Sequence, residues 1–180
     1  IGEFSKFSKS GEIQQESNFK EGKVNGAIKD YYPNGKLKAE TPFINDVTHG
    51  IATTFYENGK KETEAKYYSG KLNGFHKTYY DNGNLELEIT HEGGNKNGRF
   101  SKYYKNGQLK NTGNYNDGTI DGLVKGYYNT GELKLEHNYQ NGKFSGKCKD
   151  YYENGKLKRE AIYKEITNTR QTILDETGKT

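Results

Sequence analysis

The chain has 180 residues, of which 29% are hydrophobic, with 23 Gly, 16 Tyr and neither Trp nor Met, so it lacks the material for a thick apolar core and favours a thin architecture. Its 28 Lys and Arg against 24 Asp and Glu leave a formal net charge of +4, too small and too evenly spread to argue for nucleic acid. A single cysteine, Cys148, excludes an internal disulfide framework and a cysteine-based zinc cluster, and no apolar run approaches the roughly 18 residues that span a bilayer. In chain order, residues 3–11 (EFSKFSKSG) align without a gap with residues 99–107 (RFSKYYKNG), so the sequence begins inside a repeated unit. Without an initiating Met, there is room for a removed leader or a longer array. Aromatic pairs then begin at Tyr31, Phe55, Tyr79, Tyr103, Tyr127 and Tyr151, every step being 24 residues. One glycine series (Gly26, Gly50, Gly74, Gly98, Gly122, Gly146) and a second (Gly35, Gly59, Gly83, Gly107, Gly131, Gly155) keep the same step. Six full units run from Phe7 to about Asp150. A degenerate seventh covers 151–180, where a hairpin around Thr177-Gly178 is expected to act as a cap. The whole of 1–180 reads as a single repeat domain.

Each unit carries two turn signals, Asn34-Gly35 and its equivalents, then Glu21-Gly22, Ser69-Gly70, Gly93-Gly94, Asp117-Gly118 and Asn141-Gly142, with Asn45-Asp46 standing in. The Asn-Gly turns suit a two-residue type I′ loop, both turns are read as two-residue loops with a bulge at either one swapping part of the face assignment, and no segment shows a helical period. The prediction is therefore all-β: an elongated, twisted, open antiparallel meander of tandem 24-residue β-hairpin repeats with roughly fourteen short strands. Partners across a two-residue turn have a constant sum. That puts Tyr32 opposite Leu37, Lys29 opposite Glu40 and Gly26 opposite Phe43. The other units agree, pairing Lys77 with Glu88, Lys125 with Glu136, Lys149 with Glu160 and the neutral Ser101 with Thr112. Each glycine of the Gly26 series meets a ring, so Gly122→Val is expected to collide with Tyr139. Alternation places Tyr32, Leu37, Ile28 and their equivalents, with the rings opposite glycine, in one thin apolar layer. Tyr31, Phe55, Tyr79, Tyr103, Tyr127 and Tyr151 form an outward row amid Lys and Glu.

The segments NYQNGKFSGKCKDYYENGKLKRE (138–160), NYNDGTIDG (114–122), NFKEGKVNG (18–26) and YYSGKLNG (67–74) resemble the MORN repeat variant found in tandem in many bacterial proteins. The resemblance covers about residues 2–163 and departs from the pattern at Asp46, at Lys61 and after Tyr163. It implies a sheet of hairpins used for binding. Some bacterial members look like antitoxins or immunity proteins, others occur in envelope or secreted proteins of host-associated bacteria, and MORN repeats are also associated with scaffolds and phospholipid membranes. The abundance of Lys, Asn, Tyr and Ile fits coding by an AT-rich bacterial genome.

Catalysis needs a convergent, non-repeating set of groups, and the repeat supplies none. His49, His76, His91 and His137 occupy four different repeat positions with no metal-ligand spacing, and His91 stands where other units place an aromatic opposite glycine. Cys148 shares the slot of Ile28, Phe100 and Val124 and reads as a small core residue. The glycine-rich segments open no helix, so they do not form phosphate cradles. We therefore expect no enzyme, no cofactor and no metal. The outward row of Tyr31, Phe55, Tyr79, Tyr103, Tyr127 and Tyr151 is the candidate surface for a protein partner, a toxin or a host or envelope protein. Carbohydrate- and choline-binding solenoids use similar units but stack ligands on Trp, which is absent. A membrane surface remains an alternative, and dimerisation is one way to cover the apolar face.

Overall fold

The computed structural model describes residues 2–164 and 173–174, and the contacts divide the chain into two compact units, Ile1–Asn95 and Lys96–Thr180. The expected hairpin at Thr177-Gly178 lies outside the described residues. Every regular element among the described residues is a β-strand. In the first unit, β1 (Gly2–Phe7), β2 (Ile13–Lys20), β3 (Lys23–Val24), β4 (Gly26–Tyr31), β5 (Leu37–Ile44), β6 (Val47–Thr48), β7 (Gly50–Phe55), β8 (Lys61–Tyr68), β9 (Lys71–Tyr79) and β10 (Leu85–Glu92) form an antiparallel meander in which β3 and β4 both pair with β2, and β6 and β7 both pair with β5. The second repeats the meander with β11 (Asn95–Tyr103), β12 (Leu109–Asn116), β13 (Thr119–Tyr127), β14 (Leu133–Gln140), β15 (Lys143–Phe144), β16 (Gly146–Tyr151), β17 (Leu157–Tyr163) and β18 (Ile173–Leu174). The strand count exceeds the expected fourteen partly because a break before the Gly26-type glycine splits the return strand into pairs such as β3 and β4.

The two turns of each repeat differ in kind. At the second, both central residues have positive φ, as in Glu21 (52°) with Gly22 (78°) and Asn141 (49°) with Gly142 (77°), the signature of a type I′ loop and in keeping with the expected two-residue length. The first corrects the sequence reading. Only its glycine has positive φ, for example 78° at Gly35 and at Gly155, and Gly35 N–H donates to the Tyr32 carbonyl at 2.9 Å. The asparagine is there for its side chain: Asn34 Oδ1 accepts from Lys36 N–H at 3.1 Å, and Asn58, Asn82, Asn106 and Asn154 repeat the bond. This turn with its left-handed glycine adds a residue, and the ladder shifts so that Tyr31, not Tyr32, faces Leu37. The same shift puts Leu85 opposite Tyr79 and Leu157 opposite Tyr151, so the leucines leave the apolar layer assigned to them and join the outward aromatic row.

Beyond the bulge the expected register holds. Lys29 faces Glu40, Ser101 faces Thr112, and Gly26, Gly50, Gly74, Gly98, Gly122 and Gly146 each face the expected ring. The expected collision is wrong, however. A Cβ at Gly122 meets nothing within 4 Å, and glycine is required by its φ of +85°, where the return strand changes register. A ring does cover a glycine elsewhere: a Cβ at Gly113 falls 2.9 Å from Phe100 Cε1 and 2.8 Å from Val124 Cγ2. Gly113 belongs to a row of mostly small residues, Ser17, Thr41, Ala65, Ile89, Gly113, His137 and Ala161, each facing a member of the Ile28 series. The thin core lies along this seam, where bulk on one strand is matched by its absence on the next. Cys148 (4% exposed) faces Ala161 (4%) with Tyr163 (8%) beside them.

Successive repeats are joined at both strand ends. Along one rim the second turn residue donates its N–H to a carbonyl one repeat earlier: Gly70 to Thr48 at 2.9 Å in the first unit, Gly142 to Ile120 at 2.9 Å in the second. Along the other rim the second tyrosine of four pairs reaches forward, Tyr32 Oη donating to the Phe55 carbonyl at 2.6 Å and Tyr128 Oη to that of Tyr151 at 2.8 Å, with Tyr56 and Tyr104 doing the same. A polar atom at the end of an apolar ring thus satisfies a strand-end carbonyl in the next repeat.

Candidate functional site

The outward row is built by the hairpins themselves, because each first aromatic ends a strand just before the turn. All six, Tyr31, Phe55, Tyr79, Tyr103, Tyr127 and Tyr151, are half-buried. Three are fixed by a carboxylate on the neighbouring strand fifteen residues earlier: Tyr31 Oη donates to Glu16 at 2.5 Å, Tyr79 to Glu64 at 2.5 Å and Tyr151 to Glu136 at 3.0 Å. The hydrogen bond to Glu16 pushes the Tyr31 phenol up to about 12, and burial followed by Glu64 pushes Tyr79 higher still. Two of the glutamates, Glu64 and Glu136, are in turn held by lysines. Lys125 Nζ lies 3.1 Å from Glu136 and holds its carboxyl below the ordinary carboxylate range; burial opposes this at Glu64, but Lys61 at 2.6 Å prevails. Lys77 meets Glu88 at 3.2 Å and Lys149 meets Glu160 at 3.8 Å, as the charge rows predict.

A second row was not anticipated. Lys110, Lys134 and Lys158 place their ammonium groups 5.2, 5.4 and 5.5 Å from the ring centres of Tyr104, Tyr128 and Tyr152, the second members of the aromatic pairs. Lys38 does the same over Tyr32 at 5.7 Å. The signal was legible as a lysine six residues after the tyrosine, but the bulge that brings it over the ring is tertiary detail. In the second unit a shallow groove of about 360 Å³ is lined by Tyr128, Lys134, Asp150, Tyr151, Lys158 and Arg159. Asp150 is held from two sides, paired with Arg159 Nε at 2.9 Å and hydrogen-bonded to His137 Nε2 at 2.8 Å.

The histidines and the cysteine that break the repeat have the following surroundings among the described residues. His91 is buried opposite Gly74 as expected, and its ring lies 5.8 Å from that of His76, a proximity that spacing did not reveal. His49 packs on the Tyr68 ring at 4.9 Å. Burial pushes the Cys148 thiol up, away from the nucleophilic thiolate. Among the described residues no group of three or more His, Cys, Asp and Glu side chains could hold a metal ion.

Hairpins of fixed length, joined by backbone bonds at one rim and tyrosine bonds at the other, define a tandem β-hairpin repeat scaffold. The MORN repeat variant pattern matches seven tandem segments, residues 1–21, 24–45, 48–69, 72–92, 96–117, 120–141 and 144–165, and the chain belongs to that family. No curated protein matches it.

Proposed function

We propose that the chain is a non-catalytic scaffold that binds a protein partner through the outward row of Tyr31, Phe55, Tyr79, Tyr103, Tyr127 and Tyr151, in the manner of a bacterial antitoxin, immunity or host-interaction protein. The observation that carries this reading is the Glu-anchored tyrosine. A ring fixed before the partner arrives loses little side-chain entropy on binding, and tyrosine is favoured at interfaces for its area and polar tip. The membership itself supports a repeat scaffold, and the protein partner is our extension of it.

The test starts by identifying the partner: the full chain is used as bait in the source cells and the captured protein is then purified. Calorimetry with the purified partner should show binding to wild type and at least a tenfold loss with Tyr103→Ala combined with Tyr127→Ala, about 1.4 kcal/mol or more. The β signal in circular dichroism should be unchanged. Undiminished binding by a folded double variant, or loss of the fold itself, overturns the assignment of this row. A toxin gene adjacent to this one would support the antitoxin form of the proposal, and a secretion signal on the full-length protein would support the envelope form.

A further inference from the structure

The even spread of charge expected from the overall balance does not hold between the two units. Residues 2–95 carry 12 Lys and Arg against 14 Asp and Glu, whereas residues 96–164 carry 14 against seven, a local net of +7. The slot six residues after the second aromatic follows this division: it holds Lys38, Glu62 and Glu86 in the first unit, and Lys110, Lys134 and Lys158 in the second. Each of the latter three sits over a tyrosine, and among the described residues none lies within ion-pair distance of an acidic side chain. Three unpaired ammonium groups thus recur once per repeat, about 9.6 Å apart, or two strand spacings.

We propose that this row binds an acidic polypeptide segment in polyproline II conformation, with a carboxylate at every third residue. The inference rests on the protein-binding reading above and names the chemistry of one partner. Polyproline II rises about 3.1 Å per residue with three residues per turn, so carboxylates three apart stand about 9.3 Å apart on one side, in step with the lysines. A β-strand offers like-facing side chains only about every 6.8 Å. The groove beside Lys134 and Lys158 gives the segment a bed, with the Asp150 carboxylate already paired with Arg159 and hydrogen-bonded to His137. Nucleic acid fits less well. The lysines occupy the ring faces on which bases would stack, and the charge spacing of a duplex, about 3.4 Å along each strand, is far shorter.

The test uses the full chain and fluorescence anisotropy. One labelled peptide repeats Glu-Pro-Pro, and a control of the same composition has its glutamates clustered. The phased peptide should bind about tenfold more tightly than the control, since three exposed pairs are together worth about that factor. Binding should weaken with added salt. Lys110→Gln, Lys134→Gln and Lys158→Gln combined should abolish the preference for phase without altering circular dichroism, whereas Lys36→Gln, outside the row, should leave it intact. Equal binding of both peptides, retention by the triple variant, or tighter binding of single-stranded DNA or phosphatidylserine vesicles overturns the proposal. If the phased peptide fails while a purified natural partner still requires Tyr103 and Tyr127, only the acidic-segment inference falls and the scaffold reading stands.

Discussion

Gly113 and Gly122 are glycines for different reasons, and substitution separates them. At Gly113 φ is ordinary but the space is taken by Phe100 and Val124, so Gly113→Ala should cost about 1–3 kcal/mol in urea denaturation, and Phe100→Leu should recover part of that. At Gly122 the space is open but φ is +85°, so Gly122→Ala should cost about 1–2 kcal/mol, with no recovery from Tyr139→Ala. Recovery at Gly122 would restore the ring-collision account. Tyr31 provides a second check. Its phenol is raised to about 12 from an ordinary value of 10, so the stability it contributes is complete below pH 10 and lost as pH rises towards 12. Ultraviolet titration should show one late tyrosine missing in Tyr31→Phe and shifted down in Glu16→Gln. Glu136 runs oppositely. Its carboxyl is depressed by Lys125, so its contribution is present above about pH 4.5 and fades as pH falls through the lower folded value.

The element that matters is the hairpin with its two unlike ends. The type I′ end and the pairing of Lys125 with Glu136 were legible because the alternation and the glycine pairs are periodic in the sequence. The other end was misread because Asn-Gly serves both a two-residue loop and a longer turn closed by the asparagine side chain, and only the backbone hydrogen bonds distinguish them. That single residue moved Leu37 and its equivalents to the outward row and brought Lys134 over Tyr128. The tyrosine bond between repeats also belongs at this scale. Tyr128→Phe should cost about 1 kcal/mol with little change in the urea m-value, because it removes one hydrogen bond to the Tyr151 carbonyl and no apolar area. A cost near zero would mean that water replaces the bond without loss.

For the whole molecule, stability should follow the arithmetic of a repeat array, a sum of repeat terms and nearest-neighbour interfaces. Removing residues 120–143, one full period, should leave a folded β protein with a lower denaturation midpoint, since 119 and 144 rejoin in phase. Removing only 120–131 joins strands of opposite direction and should give an aggregated or unfolded chain by size exclusion and circular dichroism. Equal behaviour of the two deletions would show that the period is not the folding unit. The uneven division of charge also belongs to this scale, because no single repeat displays it.

The 24-residue period, the antiparallel pairing, the charge rows and the absence of helical patterning follow from the sequence by itself, because side-chain alternation and turn glycines are local and recur seven times. Which aromatic faces which leucine, which glycine is closed by sterics and which by φ, and which lysines stand over rings were decided only by the tertiary structure. These depend on a one-residue bulge and on contacts between neighbouring strands, where a shift of a single residue exchanges the faces of the sheet.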